Sequence, residues 1–187
     1  MVKKKACVFI SGQGSNLKFL IHNSRSANFP INISLVICNN PNAIGILFAK
    51  KNSIPFKIID TKKRNFENII LKELQKYNIS LVCLAGYMKV ISKRLINNFG
   101  KKIINIHPSL LPKFKGLNTF SRVLKNNEKR TGCTVHYVNE KLDSGKIIIQ
   151  KSFFIQKNDS EKILRKKTKK LEYVAFSEAI RRIYRNN

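Results

Sequence analysis

Three short segments hold residues whose types and spacing suit chemistry at a carbonyl centre. Asn105-Ile106-His107-Pro108 sets an amide and an imidazole two residues apart, and alternate residues of a strand project to one side. Pro108 keeps His107 extended and stops the strand there, at the carboxyl end where open α/β sheets bind ligands. An amide donor beside an imidazole suits stabilising a tetrahedral oxyanion and shuttling a proton; the same pair also serves simply to cap a strand edge. Leu142-Asp143-Ser144-Gly145 carries one of only three aspartates in the chain, in a stretch that equally reads as an ordinary turn in a surface loop. Close to His107, that carboxylate would raise the imidazole pKa and keep the ring cationic.

The third segment is Ser11-Gly12-Gln13-Gly14-Ser15-Asn16-Leu17, at a strand-to-helix switch. Glycines permit a tight turn, and the N–H groups of a helix start offer a site for a small phosphate. It does not match a dinucleotide fingerprint. Leu17 replaces the third glycine, and the next strand ends in Asn39-Asn40 with no acidic residue to hold a ribose. No Gly-Lys-Ser/Thr follows to make a P-loop.

The elements that must position these residues alternate in the first two-thirds of the chain, the pattern of βαβ units and a parallel sheet. Strands are expected at Ala6–Ser11, Ile33–Cys38, Pro55–Ile59, Ser80–Ala85 and Ile103–His107. Helices are expected after Ser15 (its cap), up to Lys51, from Phe66 to about Tyr77, over Ser92–Phe99 and over Thr119–Asn126. Thr131–Val138 and Lys146–Ile155 then read as an antiparallel hairpin on the sheet edge, followed by a long helix from Ser160 to about Ile183. The expected fold is α/β and Rossmann-like: a mostly parallel sheet flanked by helices, with a C-terminal antiparallel hairpin and a final long helix. Residues 1–187 read as one folding unit, since no linker, repeat or low-complexity block divides them.

Composition bounds the function. With 187 residues, 43% of them hydrophobic, the chain can bury a core. No apolar run approaches the roughly 18 residues that span a bilayer, and the apolar stretch after Lys3-Lys4-Lys5 is too short for a signal sequence, so a cytoplasmic location is expected. Cys7, Cys38, Cys83 and Cys133 are widely spaced within apolar runs and read as buried thiols; no cluster suggests a metal. The net charge of +27 raises nucleic acid as a partner. Only nine of the 37 basic residues are arginine, however, and the lysines are spread along the chain with abundant Asn and Ile. That pattern points to compositional bias and to no specific nucleic acid.

The string Ile104-Asn105-Ile106-His107-Pro108-Ser109-Leu110-Leu111-Pro112-Lys113-Phe114-Lys115-Gly116 closely resembles the signature of folate-dependent formyltransferases. So do, in the same order along the chain, the Ser11–Leu17 loop, Leu84-Ala85-Gly86-Tyr87-Met88-Lys89, Gly132-Cys133-Thr134-Val135-His136 and Leu142-Asp143-Ser144-Gly145. Within that family the set is most similar to the enzymes that formylate glycinamide ribonucleotide, from about Cys7 to Phe176. The resemblance implies transfer of a formyl group from 10-formyltetrahydrofolate, as co-substrate, to the amine of glycinamide ribonucleotide in purine synthesis. It implies a protein acting on small molecules without a metal or membrane, as a monomer or weak homodimer.

By matching positions, the resemblance assigns catalysis to Asn105, His107 and Asp143, and the substrate phosphate to Gly14, Ser15 and Asn16, approached by Lys169. Glu172 meets the glycyl amine. Folate falls to Lys63, Met88, Lys89, Val90, Ile91 and Asn105, with the 139–143 loop opposite Met88–Ile91. The chain departs from the family pattern at Lys63 (usually Arg, so Arg64 is the alternative contact), Asn118 (often His), Lys146 (often Pro), Tyr173 (His) and Ser177 (Pro). Methionyl-tRNA formyltransferase shares Leu-Leu-Pro but lacks the Gly-Ser-Asn loop and carries a further C-terminal domain, for which no residues are expected to remain. A deformylase acting on the same folate carries an extra N-terminal domain.

Overall fold

A computed structural model describes residues 2–185. Seven strands lie in the order β3-β2-β1-β4-β5-β6-β7. They are β1 (Lys4–Ile10), β2 (Ile31–Cys38), β3 (Phe56–Ile58), β4 (Leu81–Leu84), β5 (Lys102–His107), β6 (Arg130–Tyr137) and β7 (Ile147–Phe154). The helices are α1 (Ser15–Ser24), α2 (Gly45–Lys51), α3 (Phe66–Lys76), α4 (Lys93–Phe99), α5 (Thr119–Lys125) and α6 (Glu161–Ile183). The α/β, mostly parallel sheet read from the sequence is the one observed, with its antiparallel edge and long last helix. The chain divides into two compact units, the first ending at Ile104 and the second beginning at Asn105.

In the first unit β1 pairs in parallel with both β2 and β4, and β2 with β3. Ala6–Ile10 are wholly buried, as expected of a strand covered on both faces. Burial of each large apolar side chain there contributes about 1.5–3 kcal/mol before entropic costs. Both β1 and β2 start two residues earlier than their apolar runs, because Lys4 pairs with Ile31 while its side chain stays exposed. Backbone pairing does not require an apolar side chain.

In the second unit β6 and β7 form the antiparallel pair, with β7 at the sheet edge. Ser160 caps α6, its Oγ accepting from Ile163 N–H. The apolar side of this unit gathers Phe120, Val123 and Leu164, with Phe114, Leu124, Phe153 and Ile155 packed against them. Where the family pattern has proline, Ser177 leaves α6 unbroken, and its Oγ donates to the Tyr173 carbonyl one turn earlier.

Candidate active site

The second unit brings Asn105, His107 and Asp143 together. Asn105 and His107 stand at the end of β5, and Asp143 lies in the β6–β7 connection at φ 46°, a left-handed conformation that short polar residues tolerate. The expectation of an exposed turn at Asp143 does not hold: the residue is 8% exposed, and its carboxylate is the hub of the site. Oδ2 accepts from the Gly116 N–H at 2.9 Å and faces His107 Nδ1 at 3.3 Å. Oδ1 accepts from Asn105 Nδ2 at 3.3 Å and lies 3.6 Å from His136 Nε2. Burial acts to raise the Asp143 pKa, but His136, the Gly116 N–H and the His107 charge together hold it below the ordinary carboxylate value.

His107 departs from expectation in the opposite sense. Burial is the largest influence on the ring and holds its pKa below 6.5, although the Phe114 carbonyl and Asp143 both raise it. His136 and Arg122 add to the lowering. Asp143 and the Phe114 carbonyl, one at each ring nitrogen, favour the imidazolium, and burial opposes it. His107 Nε2 lies 2.9 Å from the Phe114 carbonyl oxygen, which can only accept.

His136, on β6, is the member that the sequence reading did not single out. It is 2% exposed, and its Nδ1 lies 2.8 Å from the Tyr137 carbonyl oxygen, which directs Nε2 toward Asn105 Nδ2 (3.3 Å) and Asp143. Alternation along β6 was the available signal, since His136 is a polar residue in a strand whose neighbours are buried. Gly145 holds the connection against the strand. A Cβ there would sit 1.7 Å from the Tyr137 carbonyl oxygen. On α6, Lys169 and Glu172 are both half-buried, three residues apart on one face, and the Glu172 charge adds to burial in pushing the Cys133 thiol of β6 up to about 12.

In the first unit the glycine loop joins β1 to α1. Ser15 does not cap the helix; it is the first helical residue, and Gly14 takes the cap position with φ 68° and no side-chain hydrogen bond. Gly14 also has a packing reason to be glycine: a Cβ there would lie 2.4 Å from the Gly45 backbone at the start of α2. The Gly45 N–H donates to the Gly12 carbonyl at 2.9 Å. The first turn of α1 holds no acidic residue, so no carboxylate of that turn competes for its N–H groups. Asn16 is buried and Ser15 half-buried.

Met88, Lys89 and Val90 are exposed, whereas Ile91 is buried and belongs to the core. Lys63 and Arg64 are both exposed in the turn that precedes α3. Among the described residues no group of three His, Cys, Asp or Glu is placed to hold a metal ion, and no helix is long and apolar enough to cross a membrane.

Residues 4–180 match the family model described as formyl transferase. The chain is 38% identical over 179 residues to the phosphoribosylglycinamide formyltransferase of Haemophilus influenzae, covering 92% of this chain and 84% of that protein. It is 37% identical to the trifunctional purine biosynthetic protein adenosine-3 of Chironomus tentans, covering 96% of this chain but spanning only 14% of that protein's length. The crystal structure of phosphoribosylglycinamide formyltransferase from Anaplasma phagocytophilum is similar with a TM-score of 0.92 at 37% identity, over 99% of this chain and 89% of that one. A half-buried Asn105 beside buried His107 and Asp143 at the end of a strand, a glycine loop leading into a helix, and a family match over nearly the whole length leave one assignment: the chain belongs to the formyl transferase family.

Proposed function

We propose that the protein transfers the formyl group of 10-formyltetrahydrofolate to the primary amine of glycinamide ribonucleotide, releasing tetrahydrofolate and formylglycinamide ribonucleotide, in purine synthesis in the cytoplasm. The observation that carries this reading is the buried Asp143 carboxylate joining Asn105 and His107, at the positions of the family's motifs.

The neutral amine attacks the formyl carbon, forming a C–N bond and a tetrahedral oxyanion. Asn105 Nδ2 donates to that oxygen; its present contacts, both 3.3 Å, are long enough to be exchanged for a charged acceptor. The attacking nitrogen is then an ammonium. Burial favours the neutral ring, which with its own proton on Nδ1 toward Asp143 can take the amine proton at Nε2, and the adjacent oxyanion and Asp143 carboxylate both stabilise the resulting imidazolium. His107 returns the proton to the departing folate nitrogen as the old C–N bond breaks, so one proton moves from the amine to the folate. Uptake and delivery at Nε2 both require its 2.9 Å contact with the Phe114 carbonyl to open. Asp143 remains ionised and orients the ring, while the Gly116 N–H and Asn105 Nδ2 hold Asp143.

For the remaining substrate contacts, Gly14, Ser15 and Asn16 are assigned the phosphate through backbone and polar groups, with Lys169 supplying charge and Glu172 receiving the amine. Exposed Met88, Lys89 and Val90 are assigned to the folate, with Lys63 or Arg64 meeting its anionic end and Ile91 supporting the segment from the core. The test is to follow tetrahydrofolate release with glycinamide ribonucleotide as acceptor and, separately, with charged initiator tRNA. Turnover with the first alone is expected; turnover only with the tRNA refutes the proposal.

A further inference from the structure

We infer that Ser11 is a positioning residue that fixes the backbone of the Met88–Val90 segment, and so sets folate affinity; the inference rests on the folate role proposed above for that segment. All four hydrogen-bonding functions of Ser11 go to the loops that follow β2 and β4. Its Oγ donates to Asn39 Oδ1 at 2.6 Å and accepts from the Met88 N–H at 2.8 Å. Its backbone N–H donates to the Gly86 carbonyl at 3.2 Å, and its carbonyl accepts from Asn40 Nδ2 at 3.1 Å. The chain then runs directly into the Gly12–Asn16 loop.

Side-chain packing does little to hold the segment. Met88 and Val90 are 68% and 63% exposed, Lys89 is exposed, and no regular secondary structure spans Gly86–Ile91. The buried Tyr87, edge-on to Phe9, and the buried Ile91 flank the segment, and the hydrogen bond to Ser11 Oγ holds the Met88 amide itself. The acceptor at Met88 is itself polarised, because the same hydroxyl donates to Asn39. Removing the hydroxyl leaves Tyr87, Ile91 and the Ser11 N–H bond to Gly86 in place but lets the Met88 amide rotate toward water. A ligand binding to this segment must then order it at the moment of binding, and affinity falls by the fraction of time the segment is out of place.

The experiment compares wild type, Ser11→Ala and Ser11→Thr in steady-state kinetics, melting, and amide hydrogen exchange of the apo-proteins over 87–90. For Ser11→Ala we expect a folate KM raised about 5–10-fold, the scale of one lost hydrogen bond, with kcat within about threefold. Melting should stay within about 2 °C, and amide exchange over 87–90 should be at least about fivefold faster. Ser11→Thr, which keeps the hydroxyl, should restore most of the KM. Unchanged exchange or an unchanged folate KM in Ser11→Ala overturns the inference, as does a collapse in melting temperature that Ser11→Thr does not restore. Failure of the underlying reading shows separately, in the wild type: tetrahydrofolate would then leave exchange over 87–90 unaltered.

Discussion

Replacing Asp143 with asparagine keeps the volume, the planar shape and the tolerance of φ 46°, and removes only the charge and half of the accepting capacity. The amide oxygen can keep the Gly116 N–H and His107 contacts, at 2.9 and 3.3 Å, but the amide nitrogen then meets Asn105 Nδ2, another donor, where the carboxylate accepted at 3.3 Å. Hydrogen bonds to a buried charge contribute about 1.5–3 kcal/mol, against about 0.5–1.5 for neutral ones. The expected destabilisation is therefore ~1–3 kcal/mol. For a chain of this size that lowers Tm by about 2–12 °C, more than a surface turn would show. In the reaction, the imidazolium formed when His107 takes the amine proton loses its counter-charge. We expect kcat to fall roughly 10²-fold, about 2.7 kcal/mol of transition-state stabilisation, with substrate KM little changed. Steady-state kinetics beside a melting curve reads both. A kcat within about threefold of wild type removes Asp143 from the mechanism; a fold lost at assay temperature makes it a structural residue first.

The depressed pKa of His107 predicts an acid limb in kcat/KM with an apparent pKa below 6.5, lost in His107→Gln; a limb above pH 7 refutes the neutral-base role. Between that folded pKa and 6.5 the unfolded chain binds more protons, so stability falls on acidification through this window, and Asp143 adds a further loss as pH falls below 3.8 and through its depressed value. Melting curves from pH 7 to 3 check both steps. Gly14→Val should unfold the loop by collision with Gly45, whereas Gly12→Ala, whose Cβ meets nothing within 4 Å, should keep Tm and raise the ribonucleotide KM more than the folate KM. Equal rises in the two would detach this loop from the phosphate. Basic residues are dense along Lys162–Lys170, where six of nine are cationic, so single-stranded RNA should bind without sequence preference and weaken roughly 10²-fold between about 50 and 200 mM salt. Tight binding to one RNA at ~0.15 M salt refutes the compositional reading of the charge.

Hydrophobic periodicity and turn residues in the sequence were enough to determine the order and type of the elements, because those signals are local. Continuous burial of Ala6–Ile10 and capping by Ser92 and Ser160 follow from neighbours a few positions away. Resemblance to the family's motifs, and not spacing alone, proposed Asn105, His107 and Asp143 as a trio, and Asp143 lies within contact of the other two. Their electrostatics needed the tertiary structure. Whether Asp143 sits in an exposed turn or a buried hub depends on where the β6–β7 connection folds against the Gly116 N–H, and whether His107 is cationic depends on burial outweighing a nearby carboxylate. The glycine requirement at Gly14 comes from Gly45, 31 positions away, and the role of His136 from three partners converging on one point. Desolvation and close approach are sums over atoms from distant parts of the chain, and no local pattern of residues contains them.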